Sequence, residues 1–223
     1  MMSPGDTTKT QRWAGVEFAL GSAIVLAANL SDLVPINETP WLIALTWASL
    51  RWRRVTWGEA GLRSPIRWSR TVGLALVLGA LYQLASEFVT EPLLARLTGA
   101  PLALEDFRWL SGNLPAALGM LLVVWVLAAL GEEIAFRGYL LERAATALGG
   151  RNFGYAIGLA ATSMLFGLAH FYQGAAGVIG SMLSGFFFGV LYLASGRNLW
   201  LPILTHGISD TIGLVLIYLG YLG

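Results

Sequence analysis

Residues 114–131, LPAALGMLLVVWVLAALG, form an apolar run that ends directly on the polar sequence Glu132-Glu-Ile-Ala-Phe-Arg137. A helix that crosses a bilayer needs roughly 20 mostly apolar residues. Ionisable groups at membrane depth are costly, so they point to function by default. The stretch therefore predicts a transmembrane helix that carries a polar site.

Two further polar clusters lie in apolar segments, and they contain the only two histidines of the chain. His170 ends the sequence Phe166-Gly-Leu-Ala-His170, and His206 opens the sequence His206-Gly-Ile-Ser-Asp210. Three such clusters on three helices suggest one buried polar site. Its carboxylates and imidazoles have the chemistry to activate water or to hold a metal ion.

The composition is that of an integral membrane protein. Of the 223 residues, 56% are hydrophobic and 12% are charged, and the mean hydropathy is +0.66. A soluble domain carries about twice that charged fraction. The net charge of +1 gives no case for nucleic-acid binding. The absence of cysteine from the sequence excludes disulfides, thiolate catalysis and cysteine metal sites.

The fold class predicted is all-α, a multi-pass bundle of about seven transmembrane helices in one domain. Residues 1–12 form a polar tail, residues 13–223 the membrane domain, and the motif-bearing half covers about 114–219. The fourth helix is predicted to continue as an amphipathic helix to about Leu148, with Gly149-Gly150 as its stop signal. The seven predicted spans are Trp13–Leu30, Pro40–Leu50 (with a start near Ile36 as the alternative), Thr71–Val89, Leu114–Gly131, Tyr155–Phe171, Ala175–Ala194 and Leu199–Leu219.

The arginines predict the orientation. Six of them crowd residues 51–70, between helices two and three, and the positive-inside rule places that link in the cytoplasm. The link before it holds Asp32 and Glu38 and no basic residue, so it is expected outside. We therefore expect a cytoplasmic N-terminus in a prokaryotic plasma membrane.

The two neighbouring carboxylates of the first cluster, Glu132 and Glu133, are expected to have different roles. Glu133 and Arg137 are four residues apart and share a helix face, so they are expected to form an ion pair. Glu132 points about 100° away and remains the free carboxylate. A carboxylate in a low-dielectric cavity holds a proton more readily, which suits a general base. The alternative is an interfacial ion-pair network at a helix end.

Each of the other clusters also has a structural alternative. The Phe166 ring is expected to pack beside His170, which on its own is equally consistent with a hydrogen-bonded packing residue. Asp210 is placed to orient His206, to face the cavity with it, or simply to satisfy it as a buried pair. The sequence contains no HExxH motif, so a zinc site encoded on one helix is absent.

Two roles stay open for the assembled site. In the first, two histidines, His170 and His206, and one carboxylate, Glu132, bind Zn²⁺ and leave a position for water. In the second, Glu132 and His170 activate water directly, while His206 and Asp210 stabilise the developing oxyanion.

The ordered motifs resemble the CPBP family, the CAAX proteases and bacteriocin-processing enzymes also called Abi or type II CAAX prenyl endopeptidases. The resemblance rests on Glu132-Glu133-x-x-x-Arg137, Phe166-x-x-x-His170 and His206-x-x-x-Asp210, within about Leu114 to Leu219. The phrases EEIAFRGYLL and LFGLAH are close to the family's usual form. The first half of the chain is similar to the family only in character.

The resemblance implies an intramembrane protease with a multi-pass helical fold. Glu132, assisted by His170, would activate the hydrolytic water, and His206 and Asp210 would bind the oxyanion or a metal. Glu133, Arg137 and Phe166 would support the site. Zn²⁺ is the metal implied, and a metal-free glutamate mechanism is equally open. Many members carry Asn where this chain has Asp210, and an ionised carboxylate cannot donate a hydrogen bond to an oxyanion.

The resemblance also implies a membrane-associated peptide or protein as substrate, in the lipid bilayer. Two other functions are open: a non-catalytic membrane scaffold or immunity protein, and a proton- or ion-coupled transporter. A transporter would be expected to show inverted repeats with broken helices, and the sequence shows neither. One tension concerns depth, because the predicted topology puts His170 near the outer end of its helix and His206 near the inner end of another.

Overall fold

A computed structural model describes residues 4–30, 37–101 and 105–221, which form helices and no strand. Five helices in these ranges are long and apolar enough to cross a membrane: Asp6–Leu30, Trp68–Thr98, Leu114–Ala147, Phe171–Ala194 and Trp200–Tyr218. Two shorter helices, α2 (Glu38–Arg53) and α7 (Asn152–Leu168), complete the seven predicted segments. The all-α, multi-pass fold class is confirmed.

The helices follow the predicted order, with small shifts at their ends. Their bounds are α1 Pro4–Leu30, α2 Glu38–Arg53, α3 Trp68–Ala85, α4 Glu91–Thr98, α5 Leu114–Val123, α6 Glu142–Ala147, α7 Asn152–Leu168, α8 Gly174–Ala194 and α9 Trp200–Tyr218. A π-helical turn, Ser86–Thr90, joins α3 to α4, and a π-helical segment, Val124–Leu141, joins α5 to α6. Short 3₁₀ turns at Glu105–Leu110 and Phe171–Gln173 precede α5 and α8.

The first two helices differ most from the prediction. The helix α1 begins at Pro4, so most of the predicted polar tail is helical; the missing N–H of proline is tolerated in a first helical turn. The second helix begins at Glu38, where Asn37 caps it by accepting a hydrogen bond from the Thr39 N–H. Glu38 is therefore buried in this helix rather than lying in the link. Ile36 and Asp32 lie outside the described residues.

The predicted stop of the fourth helix is present. Its last helical residue is Ala147, and Gly149 and Gly150 follow with φ of 90° and 67°. Only glycine adopts such angles without strain, so the chain reverses here. The reversal directs α7 back along α6, against which it packs.

The Val124–Leu141 segment lies at the centre of the bundle. Every residue from Gly131 to Leu141 is buried, whereas Leu118 and Leu122, about two to four turns earlier on the same continuous helix, are exposed to the surroundings. Phe136 and Leu140 form a core with α1, α2 and α7, and Leu141 packs in a second core. The polar sequence that begins at Glu132 is thus held in the interior.

Small residues let neighbouring helices approach closely. A Cβ on Gly185 would lie 3.0 Å from the Ser163 Cα, and one on Gly189 would clash with a Leu159 methyl carbon, so α8 packs tightly on α7. Gly185 and Gly189, four residues apart on α8, therefore serve packing inside the bundle.

Gly207 allows a similar approach between α9 and the central helix. A Cβ there would lie 2.6 Å from the Trp125 ring, whose Nε1–H donates to Thr211 Oγ1 at 3.1 Å. We expect Gly207→Ala to lower the free energy of unfolding by about 1–3 kcal/mol through overpacking. Unfolding in mixed detergent micelles measures the change. Gly119→Ala, which meets nothing within 4 Å, is the control and should not destabilise; equal stability of both variants would contradict this packing.

Candidate functional site

The three polar clusters meet at one cavity of about 440 Å³. Glu132, His170, His206 and Asp210 all line it, together with Phe166. Glu133 and Arg137 lie behind its wall and are almost fully buried, with exposed fractions of 0% and 2%. All seven site residues expected from the sequence are therefore in or directly behind one cavity.

Glu133 is the junction between two of the clusters. Its Oε1 accepts a hydrogen bond from Arg137 NH1 at 2.9 Å, the pair expected from their spacing. The same oxygen lies 3.0 Å from His206 Nδ1, on α9. A carboxylate can only accept, so the imidazole donates through Nδ1–H. Glu133 thereby fixes the orientation of His206 as well as pairing with Arg137.

Arg137 extends this wall to α7 and α8. Its NH2 donates to the Gly185 backbone oxygen at 3.0 Å, and its guanidinium lies 4.7 Å from the centre of the Phe166 ring. A guanidinium over an aromatic face is attracted to it, more strongly away from water. One side chain thus ties three helices together behind the cavity.

His206 has a partner at each ring nitrogen. While Nδ1 faces Glu133, Nε2 lies 3.3 Å from Asp210 Oδ2, and the Asp210 side chain is 32% exposed. The Phe188 ring stacks on the imidazole with ring centres 4.5 Å apart. Of three neighbouring phenylalanines on α8, Phe188 is therefore the one that faces the site, whereas Phe186 is exposed and Phe187 stacks on Tyr82.

His170 and Glu132 carry the free hydrogen-bonding capacity. His170 Nδ1 lies 2.8 Å from the Phe166 backbone oxygen, which can only accept, so Nδ1 carries the hydrogen and Nε2 is left as an acceptor. The buried Glu132 carboxylate makes no hydrogen bond or ion pair within the described ranges. A buried carboxylate without such a partner, at a cavity wall, is an unusual arrangement in a structural role.

The expected difference in depth does not separate His170 from His206, because both line the same cavity. His170 lies just beyond the end of α7, which has 17 residues, about 25 Å. The Phe166 ring, one turn earlier, is 4.9 Å from the His170 ring and 6.4 Å from the His206 ring, centre to centre.

The cavity is also lined by polar residues that belong to none of the three motifs. On α3, Gln83 Oε1 accepts from Ser209 Oγ at 2.8 Å, and Gln83 Nε2 donates to Glu87 at 2.8 Å. Tyr82 is hydrogen-bonded to Ser184 across the cavity wall. Neither Tyr82 nor Gln83 is distinguished by its residue type or by a motif. Their position opposite α9 results from the packing of α3 against α9, which is a contact between helices.

The arrangement does not fit a zinc site. No three His, Asp or Glu side chains of the described residues are grouped closely enough to hold a metal ion. Both nitrogens of His206 are directed at carboxylates, so a ligand lone pair there would have to be freed first. The donor set as it stands suits proton transfer and hydrogen bonding better than coordination.

Comparison with known proteins identifies the motif-bearing half. Residues 114–212 match the family model described as type II CAAX prenyl endopeptidase, Rce1-like. This part of the chain is similar to the Rce1-like family. The match confirms the resemblance drawn from the three motifs, and its bounds include Glu132 through Asp210. No curated protein and no solved structure matches the chain.

The match supports protease activity, and the long apolar helices indicate an integral membrane location. The match covers a little under half of the chain, and α3 and α4 contribute to the cavity without being part of the matched region.

Proposed function

We propose that the protein is an intramembrane endopeptidase that cleaves a peptide bond by glutamate-activated water. The observation that supports this best is the pairing pattern in the cavity. Glu132 and His170 Nε2 are unengaged within the described structure, whereas both nitrogens of His206 are already fixed by carboxylates. Glu132 is thus free to act as a base, and His170 Nε2 is free to accept a hydrogen bond. His206, which is held by carboxylates, acts as a hydrogen-bond donor.

In the proposed reaction, water lies between Glu132 and His170. His170 Nε2 accepts one O–H and orients the water, and Glu132 removes the other proton as the oxygen attacks the carbonyl carbon. The new oxyanion receives a hydrogen bond from His206 Nε2–H, which Asp210 holds in place until substrate enters. Glu132 then returns its proton to the nitrogen as the C–N bond breaks.

Peptide hydrolysis by the purified protein, with and without a chelator, tests this mechanism. We expect His170→Ala to lower kcat by about 100-fold, the usual size of one acid–base contribution, and a chelator to leave the wild type unchanged. Activity lost in chelator and restored by zinc would overturn the metal-free mechanism in favour of His170 and His206 as ligands. Unchanged activity in His170→Ala would remove that residue from the site.

We propose further that the cavity opens away from the cytoplasm. The lining residues that lie between α4 and α5 or between α7 and α8 are Phe107, Leu110, His170, Tyr172 and Gln173. All five belong to links that the arginine distribution puts outside. The arginine-rich link at residues 54–67 contributes nothing to the described lining. Substrates would then be peptides or protein segments that emerge on the outer face, and a cytoplasmic prenylated protein would not reach the site.

The lack of cysteine in the sequence makes this orientation easy to measure. Ser64 and Ser111 are both exposed and lie in links predicted on opposite sides. We expect Ser111→Cys in intact cells to react with a membrane-impermeant maleimide, and Ser64→Cys to react only after permeabilisation. The reverse pattern would place the N-terminus outside and the cavity mouth in the cytoplasm.

A further inference from the structure

A second buried polar cluster lies apart from the cavity, where α1, α2 and α6 meet. Glu17 is 6% exposed; its Oε1 accepts from Ser49 Oγ at 2.8 Å, and its Oε2 lies 3.5 Å from Arg143 NH1. Arg53 Nε donates to the same serine at 3.0 Å and is 4.0 Å from the carboxylate. We call Glu17, Ser49, Arg53 and Arg143 the Glu17 cluster.

The charges of this cluster do not balance. One carboxylate faces two guanidinium groups, and each guanidinium has five N–H donors. The described residues accept one hydrogen bond from Arg53 and one from Arg143, and the buried Arg143 Nε has no acceptor among them. Arg143 as a residue is only 9% exposed. Buried charge is normally paired, so the cluster has room for a further anion.

A pocket is present beside these groups. It has a volume of about 200 Å³, the room of several water molecules. Three cationic side chains, Lys9, Arg53 and Arg143, line it together with Glu17, and Trp13 and Trp52 form another wall. The lining thus carries two net positive charges. The two tryptophan rings meet edge to face, 5.2 Å apart, and both are largely exposed.

We propose that this pocket binds the phosphate of an anionic phospholipid headgroup. Arginine forks match phosphate oxygens in charge and geometry, and Lys9 adds a point charge. Exposed tryptophans are typical of the level of lipid headgroups, which favours a lipid over a soluble phosphate. The pocket lies at the end of the bundle that the arginines predict to be cytoplasmic, where anionic lipids attract basic segments.

Such a headgroup would hold three helices together. Lys9 lies on α1, Arg53 on α2 and Arg143 on α6, which continues the helix that carries Glu132. Bound phosphate would replace the missing acceptors of the two arginines. The expected consequence is lipid-dependent stability, which is measurable without any substrate.

Thermal unfolding of the full chain in maltoside detergent tests the proposal. The probes are short-chain phosphatidylglycerol, phosphatidylcholine of the same chain length, and inorganic phosphate. We expect phosphatidylglycerol to raise the unfolding midpoint saturably, and the other two to give no saturable rise at the same concentrations. In Lys9→Gln and Arg53→Gln the half-saturating concentration should rise about tenfold, since each removes a charge-assisted contact.

The variants are chosen so that misfolding cannot imitate the result. Lys9 is exposed, so Lys9→Gln leaves the packing intact, and Arg70→Gln removes an exposed arginine of α3 far from the pocket as the matched control. The control should keep the wild-type response. Equal stabilisation by phosphatidylcholine, an unchanged response in Lys9→Gln, or an equal loss in Arg70→Gln would overturn the site. Full saturation by inorganic phosphate would overturn the lipid as its ligand.

Discussion

Glu132→Gln is expected to abolish peptide hydrolysis while leaving the fold intact. The side chain lines the cavity, and among the described residues it has no hydrogen bond or ion pair to lose. An amide of the same shape cannot take a proton from water, so kcat should fall by at least about 100-fold and up to about 10,000-fold. Single-turnover hydrolysis at saturating peptide measures this, with unfolding in mixed micelles as the check on the fold.

Glu59→Gln is the matched control for this substitution. Glu59 is exposed and caps a turn by accepting from the Thr56 N–H and hydroxyl at 2.8 Å each, which lowers the pKa of its carboxyl. It lies far from the cavity lining, so activity should stay at the wild-type level. Hydrolysis that survives in Glu132→Gln would show that another group activates the water. Lost activity together with lost stability would instead make Glu132 a packing residue.

Local spacing in the sequence predicted the contacts that lie within one helix. Glu133 with Arg137, and His206 with Asp210, are both four residues apart, and both pairs are present at 2.9 Å and 3.3 Å. The pair of Glu133 with Arg137 forms even though the helix is π-helical here, because the long arginine side chain can reach across the altered turn. The apolar runs predicted the helices themselves, since the length and the hydropathy of a segment are properties of the sequence alone.

Contacts between helices were not predictable in this way. The contact of Glu133 with His206 joins residues 73 positions apart, and the choice of Phe188 depends on how α8 is rotated. Rotation and tilt are set by packing against neighbours.

One missed signal was present in the sequence. Glu17 lies inside the first apolar run, where an ionisable residue is costly and points to a specific role. Buried carboxylates also occur in the first half of the chain, because Glu17 and Glu38 are both buried. Neither residue belongs to one of the three motifs.

Arg137→Met is expected to be among the most destabilising single substitutions in the protein. It leaves Glu133, which is 0% exposed, without its cation, and it also removes the donor to the Gly185 carbonyl. Breaking a buried ion pair from one side costs about 3–5 kcal/mol, because the remaining charge stays uncompensated. The loss should appear as a lower unfolding midpoint in mixed micelles, with Arg151→Met, at an exposed position, as the control.

The double variant Glu133→Gln/Arg137→Met separates charge from packing. A glutamine at position 133 keeps an oxygen that can accept from His206 Nδ1 at its 3.0 Å position, yet it leaves no buried charge behind. Replacing both members of a buried pair is often close to neutral, so the double variant should recover much of the stability that Arg137→Met loses. If the two losses simply add, Arg137 acts through its contacts with Gly185 and Phe166 rather than through its charge, and the wall behind the cavity is held by packing alone.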